Sequence, residues 1–586
     1  MTKEGYDMEK TKNRMMLVFA VCATAAMAAF GAEEKPPVEA TAISRVYSQT
    51  KNPNRDPGLF GDYWWANRFL SRRQAIEKVR GQEVDLVLLG DSICHFWEWQ
   101  HPDSWAKLTA SRTVLNLGYG GDATQHVIWR VEHGELDGYT AKAIVLMIGT
   151  NNNSSDTTNP TNVARGVERI VSLVRARQPK AKLVLHPIFP RGGSAESVRH
   201  VAARARNEAT NALLKEFAEK DGKIVWIDFN DRFLDASGWV PKSLMADEIH
   251  PTDKGYDIWM AALADAGVIA PVEDEVFIRS TADKTLQPAR FFVPESAKGK
   301  KAPLLVSLHT WSYGYGNEWP WKWAKKECAK RGWALVYPHF RGSNDKPSAC
   351  GSDLAVQDIV DAVDYAKRET EIDADRIYIC GGSGGGHMSL LMAGRHPELW
   401  AGVMAACPIS DLTAWFNDSI RLNRGYWKKI YDSCGGTPWE RKEEYARRSP
   451  VTWLARAKEA GVPVQIQTGI HDGHYPGSVP VGHAIRAFNV LADAADAIAD
   501  EDIAFIEKNE KVPEPMVFTG RDPFFGEKMR IHLRRTSANA RFTLFEGGHQ
   551  GNFDAGIDWL ARQRRGQPVD WTLPEKAEGT ASTVTK

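Results

Sequence analysis

Cysteine is scarce. Seven in 586 residues are too few to scaffold a fold of this length with disulfides. Neither charge is in excess, since 74 Lys and Arg balance 74 Asp and Glu. That balance argues against a nucleic-acid partner, which needs a basic face. No fixed-period repeat marks a propeller or solenoid. Past residue 30 no run is long and apolar enough to span a bilayer. Apolar residues at 43% and charged ones at 25% are ordinary globular values, which excludes wholesale disorder. At roughly 100–200 residues per domain, the length implies more than one core. One residue type is abundant, with 21 Trp.

Lys10, Lys12 and Arg14 precede the apolar run Met15–Phe30, and small residues follow at Ala29, Gly31 and Ala32. This order is that of a cleaved secretory signal, assigned here to residues 1–32. A membrane anchor would need a span of about 20 residues. Cys22 lies inside the run, but Val21 before it fits a lipoprotein cleavage site poorly. The expectation is a secreted or periplasmic protein without stable membrane insertion. Export permits disulfides among the remaining six cysteines, but spacing does not give their pairing. Cys380 and Cys407, in apolar strand-like runs, read as buried thiols.

A Pro-containing linker (33–57) leads into alternating strands and helices. Strand runs at Leu86–Leu89, Thr113–Leu117, Ala143–Ile148, Lys182–Leu185 and Lys223–Ile227 are separated by helical stretches such as Thr161–Gln178 and Ala195–Lys220. Continuous apolar strands predict a parallel sheet covered on both faces. The pattern closes near Ala270 at the junction Pro271–Glu275. A second series then begins, with strands expected at Arg290–Val293, Pro303–His309, Ala334–Pro338, Arg376–Cys380, Gly402–Ala406, Val464–Thr468 and Arg541–Phe545. Helices expected between them include Asp353–Glu369, His387–Arg395 and His483–Ala497. The fold class is therefore α/β with two different domains, 58–270 and 271–574, and a polar disordered tail at 575–586.

In the first domain a strand ends in Gly90-Asp91-Ser92. The next leads to Asn116–Asp122, the one after to Gly149-Thr-Asn151-Asn152, and Asp247-Glu-Ile-His250 comes near the end. All stand at strand ends or in the last loop, where parallel sheets place ligands. Acyl transfer uses these residue types. Ser92 needs a base, which His250 supplies, and Asp247 holds the imidazole tautomer. The N–H groups of Ser92 and Gly121 and the amide of Asn151 suit an oxyanion hole. The Asp-x-x-His pair as a metal fragment lacks an evident third ligand. These blocks resemble the GDSL/SGNH hydrolase family over about residues 60–268, closest to the platelet-activating-factor acetylhydrolase catalytic-subunit branch. Gly120–Arg130, His133-Gly-Glu-Leu and Pro190-Arg191-Gly192 share in that resemblance. It implies a flavodoxin-like sandwich that hydrolyses small acyl esters without a metal.

In the second domain, strand Arg376–Cys380 runs into Gly381-Gly-Ser383-Gly384-Gly-Gly386. A dinucleotide loop fails because Ser383 occupies the third position of the fingerprint, and a P-loop fails because His387-Met388 follow the last glycine. The G-x-S-x-G nucleophile elbow fits, and it predicts the chain order Ser, acid, His. Asp472, in the loop after Val464–Thr468, is the expected acid. His549, after Arg541–Phe545, is the expected base. His471 and His474 read as a polar loop. Oxyanion donors are expected from Gly384 and from Thr310 or Trp311. This half resembles the α/β-hydrolase fold over about residues 272–565, in its prolyl-oligopeptidase-like branch and the bacterial esterases built on it. It departs from prolyl oligopeptidases in having another esterase domain where they carry a propeller. Asp411–Tyr445 is expected to cap the site.

Trp97, Trp311, Tyr313 and Tyr315 lie just after a nucleophile or within an oxyanion loop and are expected to stack on substrate, core packing being the alternative. The combined expectation is a secreted serine esterase with two active sites. Its substrate would be an esterified polysaccharide, deacetylated at the first site and relieved of acetyl or feruloyl groups at the second. No cofactor or metal is expected. A peptidase at Ser383, one domain serving as an inactive carbohydrate-binding platform, and a lipid acetylhydrolase are the alternatives.

Overall fold

The computed structural model describes residues 36–45, 64–474 and 478–573. The signal-like segment and the polar tail lie outside the described residues. Residues 36–45, read as linker, pack on the first domain. The Glu39 carbonyl accepts the Thr124 hydroxyl at 2.8 Å, and the Ile43 N–H donates to the Gln125 carbonyl at 3.0 Å.

The first sheet contains β1 (Glu83–Gly90), β2 (Val114–Gly118), β3 (Thr140–Met147), β4 (Lys182–Leu185) and β5 (Val225–Trp226), ordered β2-β1-β3-β4-β5. All four pairings are parallel. The last five residues of both β1 and β3 are buried. Their side chains enter two apolar clusters, one on each face of the sheet, as expected of a parallel sheet covered on both sides.

The second sheet has nine strands: β6 (Glu275–Arg279), β7 (Leu286–Phe292), β8 (Ala302–Leu308), β9 (Ala334–Pro338), β10 (Ile372–Gly382), β11 (Gly402–Ala406), β12 (Val464–Gly469), β13 (Ile531–Ser537) and β14 (Ala540–Phe545). Their order is β13-β14-β12-β11-β10-β8-β9-β7-β6. The middle is parallel, while β6, β7 and β13 pair antiparallel at the edges. The expected strands are all present. The sequence reading missed β6, whose first residue it assigned to the junction, and β13. Both are edge strands with partly exposed patterns.

The domains touch. Arg279 pairs with Asp103 at 2.6 Å, and Ala110 packs against the cluster containing Tyr315 and Trp321. Among the described residues all six cysteines are free and buried. No described helix is long and apolar enough to cross a membrane.

Candidate active sites

β1 ends at Gly90, and the helix Ser92–Gln100 starts at once. Asp91 caps that helix, accepting the Ile93 N–H at 2.9 Å, so Ser92 is fixed at the helix N-terminus with first-turn N–H groups that have no carbonyl of their own turn to meet. The Ser92 Oγ lies 2.8 Å from His250 Nε2. His250 Nδ1 lies 2.6 Å from Asp247 Oδ2. Burial opposes the charge of Asp247, but the hydrogen bond and charge of His250 outweigh it and hold the carboxyl well below its usual range. Serine, imidazole and carboxylate thus form one continuous chain. Asn151 Nδ2 donates to the Asp122 carbonyl at 2.8 Å, beside Gly121. Its amide has a second N–H to offer an oxyanion.

Beneath this site Arg130 is fully buried. It donates to Asp122 at 3.0 Å, to the Leu117 carbonyl at 3.1 Å and to the Gly90 carbonyl at 3.1 Å, and pairs with Glu135. One guanidinium therefore ties together the ends of β1 and β2 and the loop after β2, which carry Ser92 and Gly121. Sequence reasoning used Arg130 and Glu135 only as marks of resemblance and missed this role. Phe96, which the sequence offered only as one of the aromatics after Ser92, packs its ring 4.6 Å from that of His250. The Pro190–Gly192 loop steadies the last block, with the Gly192 N–H donating to the Glu248 carbonyl at 3.1 Å. A cleft of about 330 Å³ lined by Arg199, His200 and Lys242 opens beside Asp247.

In the second domain β10 runs into Ser383, whose φ of 57° and ψ of −117° lie in a region that side chains rarely adopt. Here the strain is the strand-to-helix elbow. The helix begins at Gly384, earlier than expected. A Cβ on Gly384 would lie 2.5 Å from the Trp311 backbone nitrogen, so the absent side chain lets the two proposed oxyanion N–H groups approach. Of the two residues expected to supply the second donor, Trp311 is the one held against Gly384. Asn344, which sequence reasoning missed, stands there as well. Its Nδ2 is buried without a hydrogen-bond partner and lies 3.1 Å from the same Cβ position.

Asp472 Oδ2 accepts from His549 Nδ1 at 2.8 Å. Its other oxygen takes the N–H groups of Gly473, Ser478 and Val479, each at 3.0 Å. Burial opposes charge on His549, but Asp472 outweighs it and raises the imidazole pKa. Among the described residues no hydrogen bond joins Ser383 to His549. Catalytic hydrogen bonds often tighten only when substrate is bound. The Cys407 thiol is a second neighbour of the imidazole.

His471 does more than satisfy a loop. It bridges Glu510 at 2.5 Å and Glu546 at 2.8 Å, and Glu546 also takes His532 at 2.8 Å. This chain links the loop of Asp472 to the loop of His549. Residues Leu412–Arg421, Tyr426–Cys434 and Lys442–Arg448 form three helices. Their apolar side chains pack around Trp311, and Lys429 donates to the Ser312 hydroxyl at 3.0 Å.

Three of the four expected stacking aromatics are corrected. Trp97 and Tyr315 are fully buried, and Trp311 is 2% exposed. Trp97 stacks on Trp259 and Tyr256, Trp311 meets Trp415 edge-on at 4.4 Å, and the Tyr315 hydroxyl is held by Glu275. Core packing prevailed because each of these rings, one on a helix and two in a loop, is enclosed by an apolar cluster. Tyr313 is 59% exposed, and so is much of Trp319, which sequence reasoning left out of the candidate set.

Residues 88–258 match the GDSL-like Lipase/Acylhydrolase family. Over 206 residues the chain is 32% identical to platelet-activating factor acetylhydrolase IB subunit alpha2 of Rattus norvegicus and of Homo sapiens, a span of 35% of this chain and 86% of each relative. The chain belongs to the GDSL acylhydrolase family. Residues 319–502 match the Prolyl oligopeptidase family, so the acylhydrolase domain is followed by a domain of that second family. Among solved structures, one titled as a putative platelet activating factor from Streptococcus pneumonia is 22% identical, with a TM-score of 0.30, covering 35% of this chain and 96% of its own. Acylaminoacyl peptidase from Pyrococcus horikoshii is 17% identical, with a TM-score of 0.36, covering 52% of this chain and 44% of its own. The protein is a hydrolase built from two serine-hydrolase folds.

Proposed function

We propose that this chain is a secreted or periplasmic esterase with two active sites, acting on acylated polysaccharide. The observation that carries the reading is the connected Ser92–His250–Asp247 chain, with links of 2.8 and 2.6 Å, in one polypeptide with a strained Ser383 elbow and a buried Asp472–His549 pair. In each site the serine attacks an ester carbonyl as histidine takes its proton. The same histidine then protonates the leaving alcohol, and water, activated by that histidine, releases the acid. The first site removes acetyl groups. The second takes a larger acyl group such as feruloyl, or acetyl. A groove of about 800 Å³ lined by Phe518, Phe525, Arg521 and Glu546 adjoins the His549 loop and supports the larger substrate, and exposed Tyr313 and Trp319 offer sugar-stacking faces. Two sites on one chain raise the local concentration of the second ester after the first is cut.

A second reading, a peptidase at Ser383, is favoured by the match of residues 319–502 to the prolyl oligopeptidase family. Product analysis on acetylated and feruloylated xylo-oligosaccharides and on a peptide amide, with Ser92→Ala and Ser383→Ala, separates the readings. Each substitution should abolish one product class. Loss of every activity in a single variant overturns the two-site reading, and amide cleavage without ester cleavage at Ser383 selects the peptidase.

A further inference from the structure

Cys407 follows β11 with a φ of 46°, an unfavourable backbone for a residue bearing a Cβ. The turn is pinned by its N–H donating to the Gln467 carbonyl at 2.8 Å and its thiol to the Gln550 carbonyl at 3.0 Å. It carries the sulfur in beside the Asp472–His549 pair. One ligand atom each from Cys407, Asp472 and His549 lies within 4.8 Å of the others, and among the described residues no other trio of His, Cys, Asp or Glu comes so close.

We propose that Cys407, Asp472 and His549 form an inhibitory site for a thiophilic divalent cation, with Zn²⁺ as its probe. Sulfur, imidazole nitrogen and carboxylate oxygen are the donor types Zn²⁺ takes, at about 2.3, 2.0 and 2.1 Å. A tetrahedral ion with those bonds needs its donors roughly 3.3–3.7 Å apart, a small adjustment for groups already gathered here. A fourth position is left for water. Charge also balances, because thiolate and carboxylate together neutralise the dication, which a buried site requires. All three residues are largely buried: Cys407 is 3% and Asp472 2% exposed, and the His549 side chain is 24% exposed.

The chemistry is ligand exchange without oxidation. The thiol loses its proton to solvent, and its sulfur lone pair bonds the metal. A ring nitrogen of His549 does the same, releasing a proton if the imidazole is charged. Metal on Nε2 removes the base outright. Metal on Nδ1 leaves the proton on Nε2, where it cannot accept the serine proton. Either way the second site stops while the first continues. Binding displaces the thiol proton, so metal competes with protons and binds more tightly as pH rises.

The metal binding is independent of the hydrolase reading, whereas the inhibition rests on Ser383 being a nucleophile. The test uses the full chain. Co²⁺ should bind one per chain with a thiolate-to-metal charge-transfer band that Zn²⁺ abolishes. Cys407→Ser should lose the band and weaken Zn²⁺ by more than the roughly 10–100-fold that an outer-shell partner is worth. In a Ser92→Ala background, ZnCl₂ should suppress ester turnover and EDTA restore it, each protein's own uninhibited rate being the reference. Absence of the band, or its persistence in Cys407→Ser, overturns the site. Should that variant not fold, wild-type protein decides alone, since Zn²⁺ affinity that does not rise with pH overturns it equally. A Cys407-dependent band with no Ser383 turnover under any condition supports the metal site and sinks the hydrolase reading.

Discussion

Asp247 holds His250 twice. One carboxylate oxygen lies 2.6 Å from the ring nitrogen Nδ1, and the other accepts the His250 backbone N–H at 2.8 Å. The carboxylate thus sets both the position of the residue and the tautomer of its ring. Asp247→Asn keeps the oxygen for the backbone but can offer the ring an N–H, which favours the wrong tautomer. Turnover at the first site should fall on the order of 10²–10⁴-fold with the fold intact, read as deacetylation rate in a Ser383→Ala background. A loss below tenfold would show that His250 needs no partner.

Asp91 is fully buried, and desolvation lifts its pKa to about 7 against the backbone hydrogen bond from Ile93; one of its oxygens has no partner. A carboxyl raised in the fold binds protons more strongly there than in the unfolded chain. Stability should therefore decline as pH rises from about 4 to 7, by about 4 kcal/mol at about 1.4 kcal/mol per unit. Asp91→Asn should flatten that slope. Thermal unfolding of the first domain against pH measures it, and parallel slopes would refute the assignment.

For His471 the sign is the same, but here the fold favours the charged form of the group. Burial disfavours its charge, but hydrogen bonds to Glu510 and Glu546 outweigh burial and raise its pKa. Its contribution is complete below about pH 6.5 and is lost as pH climbs through the raised value. Because it ties the two catalytic loops, turnover at Ser383 should sag on the alkaline side together with the stability of that domain. His471→Gln should remove the sag, measured as kcat and melting temperature between about pH 6 and 9. A variant with the wild-type profile would release His471 from this role.

Gly384→Ala would place a methyl group 2.5 Å from Trp311 Cα and N. The backbone must yield, and the second oxyanion N–H moves with it. Turnover at Ser383 should drop about 10²–10³-fold, while Ser92 turnover holds. The ratio of the two activities in one preparation reads this directly.

Much of both sites was legible because strand ends and glycine turns write themselves into sequence. Gly90-Asp91-Ser92 and Gly381–Gly386 each follow an apolar run, so the nucleophiles could be placed without coordinates. The acid and base of the second domain came from chain order, and they meet in space at 2.8 Å. What stayed hidden depends on tertiary neighbours. Trp97 and Tyr315 looked available because local sequence cannot say what packs above a ring. Arg130 and His471 act through partners 5–75 residues away, and the Asn344 amide through the lack of one, with no motif to betray them. β6 and β13 escaped because edge strands carry polar residues on their open side.

The contact between Ala110–Arg112 and the second domain carries a practical consequence. Tyr315, in the loop that follows Trp311, is hydrogen-bonded to Ser111 as well as to Glu275, and the charge of Arg112 acts on Glu275. Scissors placed at the junction would leave the Ser383 half with an unshielded floor under its oxyanion loop. The two catalytic units are separable as paragraphs of sequence but share a wall as architecture, so gene shuffling that swaps one must carry the other's wall along.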